Sequence, residues 1–249
     1  MRIVVITGAS SGIGAEFARQ LDKEGWFDSF LLIARREDRL LELSGQLRHP
    51  SRILAKDITE NGFTDTLLKE LEDSKAQIRM LINCAGYGIA GHFAERNLTE
   101  QTGMVLLNCA ALTNVTGVCI PFCESKCRIL QAASAAAFLP QPGFAVYAAT
   151  KAFVLSFSRA LGAELRDRQI TVTAFCPGPV DTEFFDIAEK YQKSAFLKKK
   201  IMLPASVVVS EVIAAAKRKQ KVVIPGVLMK LLGVGAKIVP HSWILHFMK

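Results

Sequence analysis

Eight residues near the start of the chain restrict its fold more than any other stretch. Thr7-Gly8-Ala9-Ser10-Ser11-Gly12-Ile13-Gly14 lies between a β-branched run, Arg2–Thr7, and a segment with helical spacing, Gly12–Gly25. Glycines at 8, 12 and 14 allow a sharp turn and let another group come close to the main chain. The first N–H groups of the following helix favour an anion at that point. Strand, glycine turn and helix in this order form one half of a βαβ unit. The pattern therefore points to a parallel sheet rather than to a bundle or sandwich.

The rest of the chain repeats the alternation. Strands are expected at Arg2–Thr7, Phe30–Ala34, Arg52–Ala55, Ile78–Asn83, Arg128–Ala132, Ile170–Phe175 and Lys221–Ile224. Helices are expected at Gly12–Gly25, Glu37–Leu47, Thr64–Asp73, Thr99–Phe122, Tyr147–Arg166 and Val207–Arg218. Ile3–Ile6 and Leu31–Ile33 are continuously apolar, as strands covered on both faces should be. The 249 residues show no repeat, linker or second core, so one α/β domain spanning 1–249 is expected. Half of the residues are hydrophobic and 22% are charged, which excludes a disordered chain.

The net charge of +8 is unevenly placed. Residues 1–185 sum to −1, whereas 186–249 hold 12 basic and 3 acidic residues. A solvated lysine-rich surface is the first reading of that quarter. Peripheral membrane contact through the tail at 226–249, split by Pro240, is the lesser one. Packing of this apolar and basic tail within the protein or an oligomer is the first expectation for it. No interleaved aromatics or recognisable motif supports nucleic-acid binding. Met1-Arg2 leads directly into Ile3–Ile6, too short for a signal peptide, and no uninterrupted apolar run reaches 18 residues. Six cysteines without a CxxC pair suit a reducing, cytoplasmic setting, with the thiols acting as packing. Cys84 and Cys109 adjoin the site developed below, and packing is the expectation there too. His92, His241 and His246 have no neighbouring ligands, so no metal is expected.

The second strand ends at Ala34-Arg35-Arg36. A site for NAD usually has Asp or Glu here, about 20 residues beyond the glycines, to hold the ribose 2′-hydroxyl. Two guanidinium groups suit a phosphate instead, so Arg35 and Arg36 predict NADP(H). Tyr147 and Lys151 lie four apart at the start of a helix and share a face. A phenol with pKa near 10 is a weak acid at neutral pH, and a neighbouring ammonium is expected to lower that value. Ser134, thirteen residues earlier, follows a strand where its hydroxyl can hold a carbonyl oxygen.

Together these residues resemble the short-chain dehydrogenase/reductase family. The matching motifs are the turn at 7–14, Asp57-Ile58, Asn83-Cys84-Ala85-Gly86, Asn108, Ser134, Tyr147-Ala148-Ala149-Thr150-Lys151 and Pro177-Gly178-Pro179-Val180-Asp181-Thr182. Cys84 stands where the family usually has a second Asn, and Thr150 where Ser is common. The resemblance implies a Rossmann-type, doubly wound parallel sheet of about seven strands in order 3-2-1-4-5-6-7. It implies that Tyr147 exchanges a proton with the substrate oxygen, that Lys151 binds the nicotinamide ribose and tunes Tyr147, and that Ser134 polarises the carbonyl. Asn108 would hold a helix distortion and a proton-relaying water. Gly8, Ser10, Ser11, Gly12, Ile13 and Gly14 would cradle the pyrophosphate, and Asp57 and Ile58 would meet the adenine. Asn83, Ala85 and Gly86 would line the ribose side, and Pro177, Gly178, Val180 and Thr182 the carboxamide end. A homo-dimer or homo-tetramer built on the two long helices is also implied.

Tyr87, Gly88, Phe93, Phe138, Leu139, Gln141, Pro142 and Phe144 are candidate substrate contacts, with 182–203 as an amphipathic lid. This mostly apolar set predicts a lipophilic ketone or secondary alcohol, steroid-like or acyl-chain. The local sequence from Ser134 to Phe157 resembles the branch holding hydroxysteroid dehydrogenases and ketoacyl reductases. A catalytically lapsed dinucleotide-binding regulator is the alternative, and the intact Ser134, Tyr147 and Lys151 argue against it.

Overall fold

The structure, a computed structural model, describes residues 1–190, 201–227, 229–231 and 245. Its first strand, β1 (Arg2–Thr7), enters the middle of a sheet because nothing in Ile3–Ile6 tolerates water. It pairs in parallel with β2 (Ser29–Ala34) on one side and β4 (Gln77–Asn83) on the other. The sheet extends through β3 (Ser51–Ala55), β5 (Cys123–Ala132) and β6 (Thr171–Phe175) to a short edge strand, β9 (Val222–Val223). The order β3-β2-β1-β4-β5-β6-β9 is the expected seven-stranded arrangement. The edge strand is ninth in the chain because two-residue strands β7 (Val180–Asp181) and β8 (Leu203–Pro204) pair with each other in a separate sheet.

Strand side chains alternate between two cores. Val4 and Ile6 face the cluster made with α1 (Gly12–Leu21), α2 (Glu37–Gln46) and α8 (Ala205–Lys217). Ile3 and Val5 face the cluster made with α3 (Phe63–Asp73), α5 (Leu112–Cys119) and the C-terminal part of α6 (Ala145–Glu164). Both sheet faces are thus covered by helices, the condition under which parallel strands read as unbroken apolar runs.

Two regions depart from expectation. The single helix expected at Thr99–Phe122 is instead α4 (Leu98–Val105), a π-helical turn at Leu106–Ala111, α5, and a 3₁₀ turn at Ile120–Phe122. Asn97 caps α4 by accepting from the Thr99 N–H at 2.8 Å. This stretch has the length and mean hydropathy, 1.7, of a membrane span, yet α5 contributes Val115 and Cys119 to the second core. The strand expected at Arg128–Ala132 begins five residues earlier. Its pairing with β4 jumps from Ile78↔Cys123 to Met80↔Arg128, so the intervening residues bulge, with Lys126 at φ +68.

The ends of β1, β4 and β5 are tied by buried side chains. The Asn83 amide donates to Thr116 Oγ1 and to Gln131 Oε1, both at 3.0 Å, and the Gln131 amide donates to Thr116 Oγ1 at 3.1 Å. The Thr7 hydroxyl donates to Asn83 Oδ1 at 3.4 Å. A buried amide left without its acceptor costs about 1–3 kcal/mol. Thr116→Val removes one acceptor that serves both amides, and should lower the unfolding free energy by an amount in that range, read as a lower urea midpoint at unchanged slope.

Candidate active site

Because the sheet strands are parallel, all of them deliver their C-terminal ends to the same edge. The crevice opens there, beside the end of β1, where the winding reverses because the chain crosses from β3 back over to β4. It is a cleft of about 1470 Å³, running from the glycine turn to Phe184. Of the sequence-predicted site residues, Gly8, Ser10, Ser11, Gly12, Ile13, Gly14, Arg35, Arg36, Asp57, Ile58, Ala85, Gly86, Ser134, Tyr147, Lys151, Pro177, Gly178, Val180 and Thr182 all line it.

The glycine turn is closed to other residues. Gly8 has φ +69, and a Cβ there would stand 2.7 Å from the Ala85 nitrogen. A Cβ on Gly14 would run into the Gly8 carbonyl oxygen. The Ser11 side chain does not cap α1, so its first-turn amides meet the cleft without a side-chain partner. A tight turn under an uncapped helix start is what a pyrophosphate requires, and the residues present fit a dinucleotide on that ground.

At the end of β2, Arg36 leans over this turn, with Nε and Nη2 each 3.3 Å from Ser10 Oγ. Its Nη1 meets Glu183 at 2.9 Å, and Arg39 Nη1 meets the same carboxylate at 3.0 Å. Arg35 is more exposed and lies 3.6 Å from Asp57. Burial opposes ionisation of Asp57, but the Thr59 N–H and hydroxyl, together with Arg35, hold its carboxyl below the ordinary value. Arg39 and Glu183 were not anticipated. Arg39 carried a signal, sitting one turn after Arg35 and Arg36 at the start of α2. Glu183 carried none, being 147 residues from Arg36.

At the other end, Tyr147 and Lys151 lie on one face of α6, both buried. The Lys151 Nζ is 5.6 Å from the Tyr147 ring centroid and donates to the Ala132 carbonyl at 2.8 Å. Ser134, just beyond β5, accepts from the Ala136 N–H at 3.1 Å and lines the cleft beside Tyr147. The expected lowering of the phenol pKa by the ammonium is corrected here. Burial pushes Tyr147 up to about 12, against a smaller opposing pull from Ser134. Burial also pushes Lys151 down to about 8. In a dry pocket each neutral form gains more than the pair gains from mutual attraction. Cys84 is held at about 12 by burial, and Cys109 is raised for the same reason, so neither thiol is poised to react.

Two predicted residues serve the site from behind. Asn83 does not line the cleft. Its amide is consumed by Thr116 and Gln131, so its side chain anchors strands instead of touching a ribose. Asn108, in the π turn, is fully buried. It accepts from the Tyr87 N–H at 3.1 Å and donates to the Tyr87 carbonyl at 2.9 Å and to Thr150 Oγ1 at 3.1 Å. It positions the 84–87 loop against α6.

Among the substrate candidates, Tyr87, Phe138, Leu139, Gln141, Pro142 and Phe144 line the cleft. Gly88 and Phe93 do not. Gly88 packs behind the rings of Tyr147 and Phe144, and Phe93 is exposed. His92 is exposed at the surface, where it also lines the cleft, and Ile89 was missed. From the expected lid, residues 182–190 contribute Phe184, whose ring is 5.6 Å from that of Tyr147. Leu203 belongs to β8, and 191–200 lie outside the described residues. Met229, from the start of the expected tail, closes over Gly178, while His241, His246 and most of the tail also lie outside the described residues.

A family model described as short chain dehydrogenase matches residues 2–192. The chain belongs to this family. It is 33% identical over 183 residues to an uncharacterised oxidoreductase of Staphylococcus epidermidis, covering 73% of this chain and 79% of that one. Among solved structures, it is similar to a short-chain dehydrogenase from Sphingobium yanoikuyae in complex with NADPH (TM-score 0.80, 28% identity, 96% of this chain and 95% of that one). It is also similar to the bulky-bulky ketone specific alcohol dehydrogenase from Comamonas testosteroni (TM-score 0.76, 28% identity, 91% of this chain and 87% of that one). The chain is therefore an oxidoreductase of the short-chain dehydrogenase family, with the family's Rossmann-type sheet.

The buried lysine makes stability depend on pH in a known direction. In the unfolded chain Lys151 keeps its proton to about 10.5, whereas in the folded one it loses it near 8. Between these values the unfolded state binds more protons, so stability rises with pH. Relative to Lys151→Met, the wild type should gain about 3 kcal/mol from pH 8 to pH 10.5, read from denaturant midpoints of both proteins.

Proposed function

We propose that this chain uses NADP(H) to interconvert a ketone and a secondary alcohol on a lipophilic small molecule, with Tyr147 as the acid and base. The observation that carries this reading is the buried phenol of Tyr147. It shares the cleft wall with Ser134 and stands beside Lys151, and the far end of that cleft presents paired arginines. Bound NADPH supplies a hydride.

The residues of the chain do the rest. Ser134 and Tyr147 place two hydroxyls where a carbonyl oxygen can accept from both. Burial keeps the phenol protonated at neutral pH, so Tyr147 rests in the form that donates its proton during reduction. Lys151, held on the Ala132 carbonyl, sets a positive charge near the phenolate that forms. Its value of about 8 lets it carry or release a proton close to physiological pH. Asn108 keeps the 84–87 loop from drifting into this space.

Arg36 and Arg35, with no acidic residue at the end of β2, support the phosphorylated dinucleotide, as does the NADPH-bound relative. The walls formed by Phe138, Leu139, Phe144 and Phe184 support an apolar substrate with bulk on both sides of the carbonyl, in keeping with the ketone preference stated for the Comamonas enzyme. A steroid-like or acyl-chain compound meets that description. Leu98, Val105, Leu106 and Phe153 are exposed on the two long helical stretches, which supports a homo-oligomer. Six unpaired thiols suit a cytosolic, reducing compartment.

A panel of steroid, medium-chain and bulky ketones, followed by loss of NADPH absorbance, tests the reading. Tyr147→Phe should lower kcat about 10²- to 10⁴-fold with the fold intact by circular dichroism. Undiminished turnover in that variant would overturn the mechanism.

A further inference from the structure

Three arginines surround the expected place of the adenosine 2′-phosphate, and two carboxylates already face them. Asp57 belongs to Arg35. Glu183 is different, because it comes from the far side of the cleft, directly after Thr182. A Cβ on Gly12 would stand 3.2 Å from the Thr182 side chain, so this stretch lies against the glycine turn. Each Glu183 oxygen takes one guanidinium, Oε2 from Arg36 at 2.9 Å and Oε1 from Arg39 at 3.0 Å. The remaining Arg36 donors, Nε and Nη2, turn to Ser10 Oγ. The carboxylate therefore bridges the two guanidinium groups, one nitrogen from each, and holds donors that an incoming phosphate would need.

We propose that Glu183 is a specificity-determining residue that competes with the adenosine 2′-phosphate for Arg36 and Arg39. A dianionic phosphate arriving there must displace this carboxylate or bear its repulsion. An unphosphorylated ribose meets neither cost, and its 2′-hydroxyl can donate to the carboxylate. Glu183 thus narrows the preference that the arginines alone would give. The inference rests on the NADP(H) reading above, and the test separates the two.

Calorimetric titration with adenosine 2′,5′-bisphosphate and with adenosine 5′-monophosphate reads the preference without turnover. In Glu183→Gln, which keeps the shape and removes the charge, the bisphosphate should bind about fivefold tighter while the monophosphate stays within about twofold. In Arg36→Ala the bisphosphate should weaken about tenfold relative to the monophosphate. If Arg36→Ala leaves the ratio of the two ligands unchanged, the arginine reading of the cofactor falls. If Arg36→Ala lowers that ratio but Glu183→Gln leaves it alone, or shifts both ligands equally, the role of Glu183 falls by itself.

Discussion

The ammonium of Lys151 is buried almost completely at the cleft wall, bonded at 2.8 Å to the carbonyl of Ala132, the last residue of β5. A lysine in that position is costly to the fold, and the cost is written in its pKa. Two apolar cores on either side of a parallel sheet carry it. The same packing dries the phenol one helical turn away, so Tyr147 and Lys151 are perturbed in opposite directions by one cause. Each group is thereby pushed toward its neutral form: the phenol keeps its proton to higher pH than it would in water, and the amine gives its own up at lower pH.

The precision of this corner comes from topology. Thr7, Ala34, Asn83, Ala132 and Phe175 end or nearly end five different strands, and parallel pairing brings all of those ends to one edge. Their relative height is set by register, and the Asn83, Gln131 and Thr116 side chains fix it for the strands on which the site depends. The π turn does the same work from above. One extra residue in the helix swings Asn108 inward, where both ends of its amide grip the backbone of Tyr87.

What could be read in the sequence follows from this division. The glycine turn, the apolar strands and the Tyr147/Lys151 pair are local patterns, and each element lies within a few residues of its expected place. The π turn was not legible, because Leu106–Ala111 carry the same apolar spacing as the helices on either side. The early start of β5 was hidden by a bulge that breaks alternation across Glu124–Cys127. The direction of the Tyr147 shift was misjudged for a related reason. Spacing shows that an ammonium is near, but it does not show that both groups have lost their water. The ion pair from Glu183 to Arg36 and Arg39 spans more than 140 residues, beyond any local pattern.

The cleft has two ends governed by different physics, and one short stretch touches both. Near the glycine turn, Arg36, Arg39 and Glu183 are each about two-fifths exposed, so their interactions are screened and exchangeable. Near Tyr147 the surroundings are rings and aliphatic chains, and charges there act at low dielectric. Glu183 directly precedes α7 (Phe184–Ala188) without capping it through its side chain, and the next residue, Phe184, turns its ring toward Tyr147. That carboxylate can move away from the arginines by rotating its own side chain while the peptide unit it shares with Phe184 stays in place. A screened, reversible contact at the wet end is suited to such movement, whereas the buried end must stay fixed to keep its pKa values. Placing the adjustable charge and the apolar wall on adjacent residues separates a contact that can exchange at one end from the fixed Tyr147 and Lys151 geometry at the other.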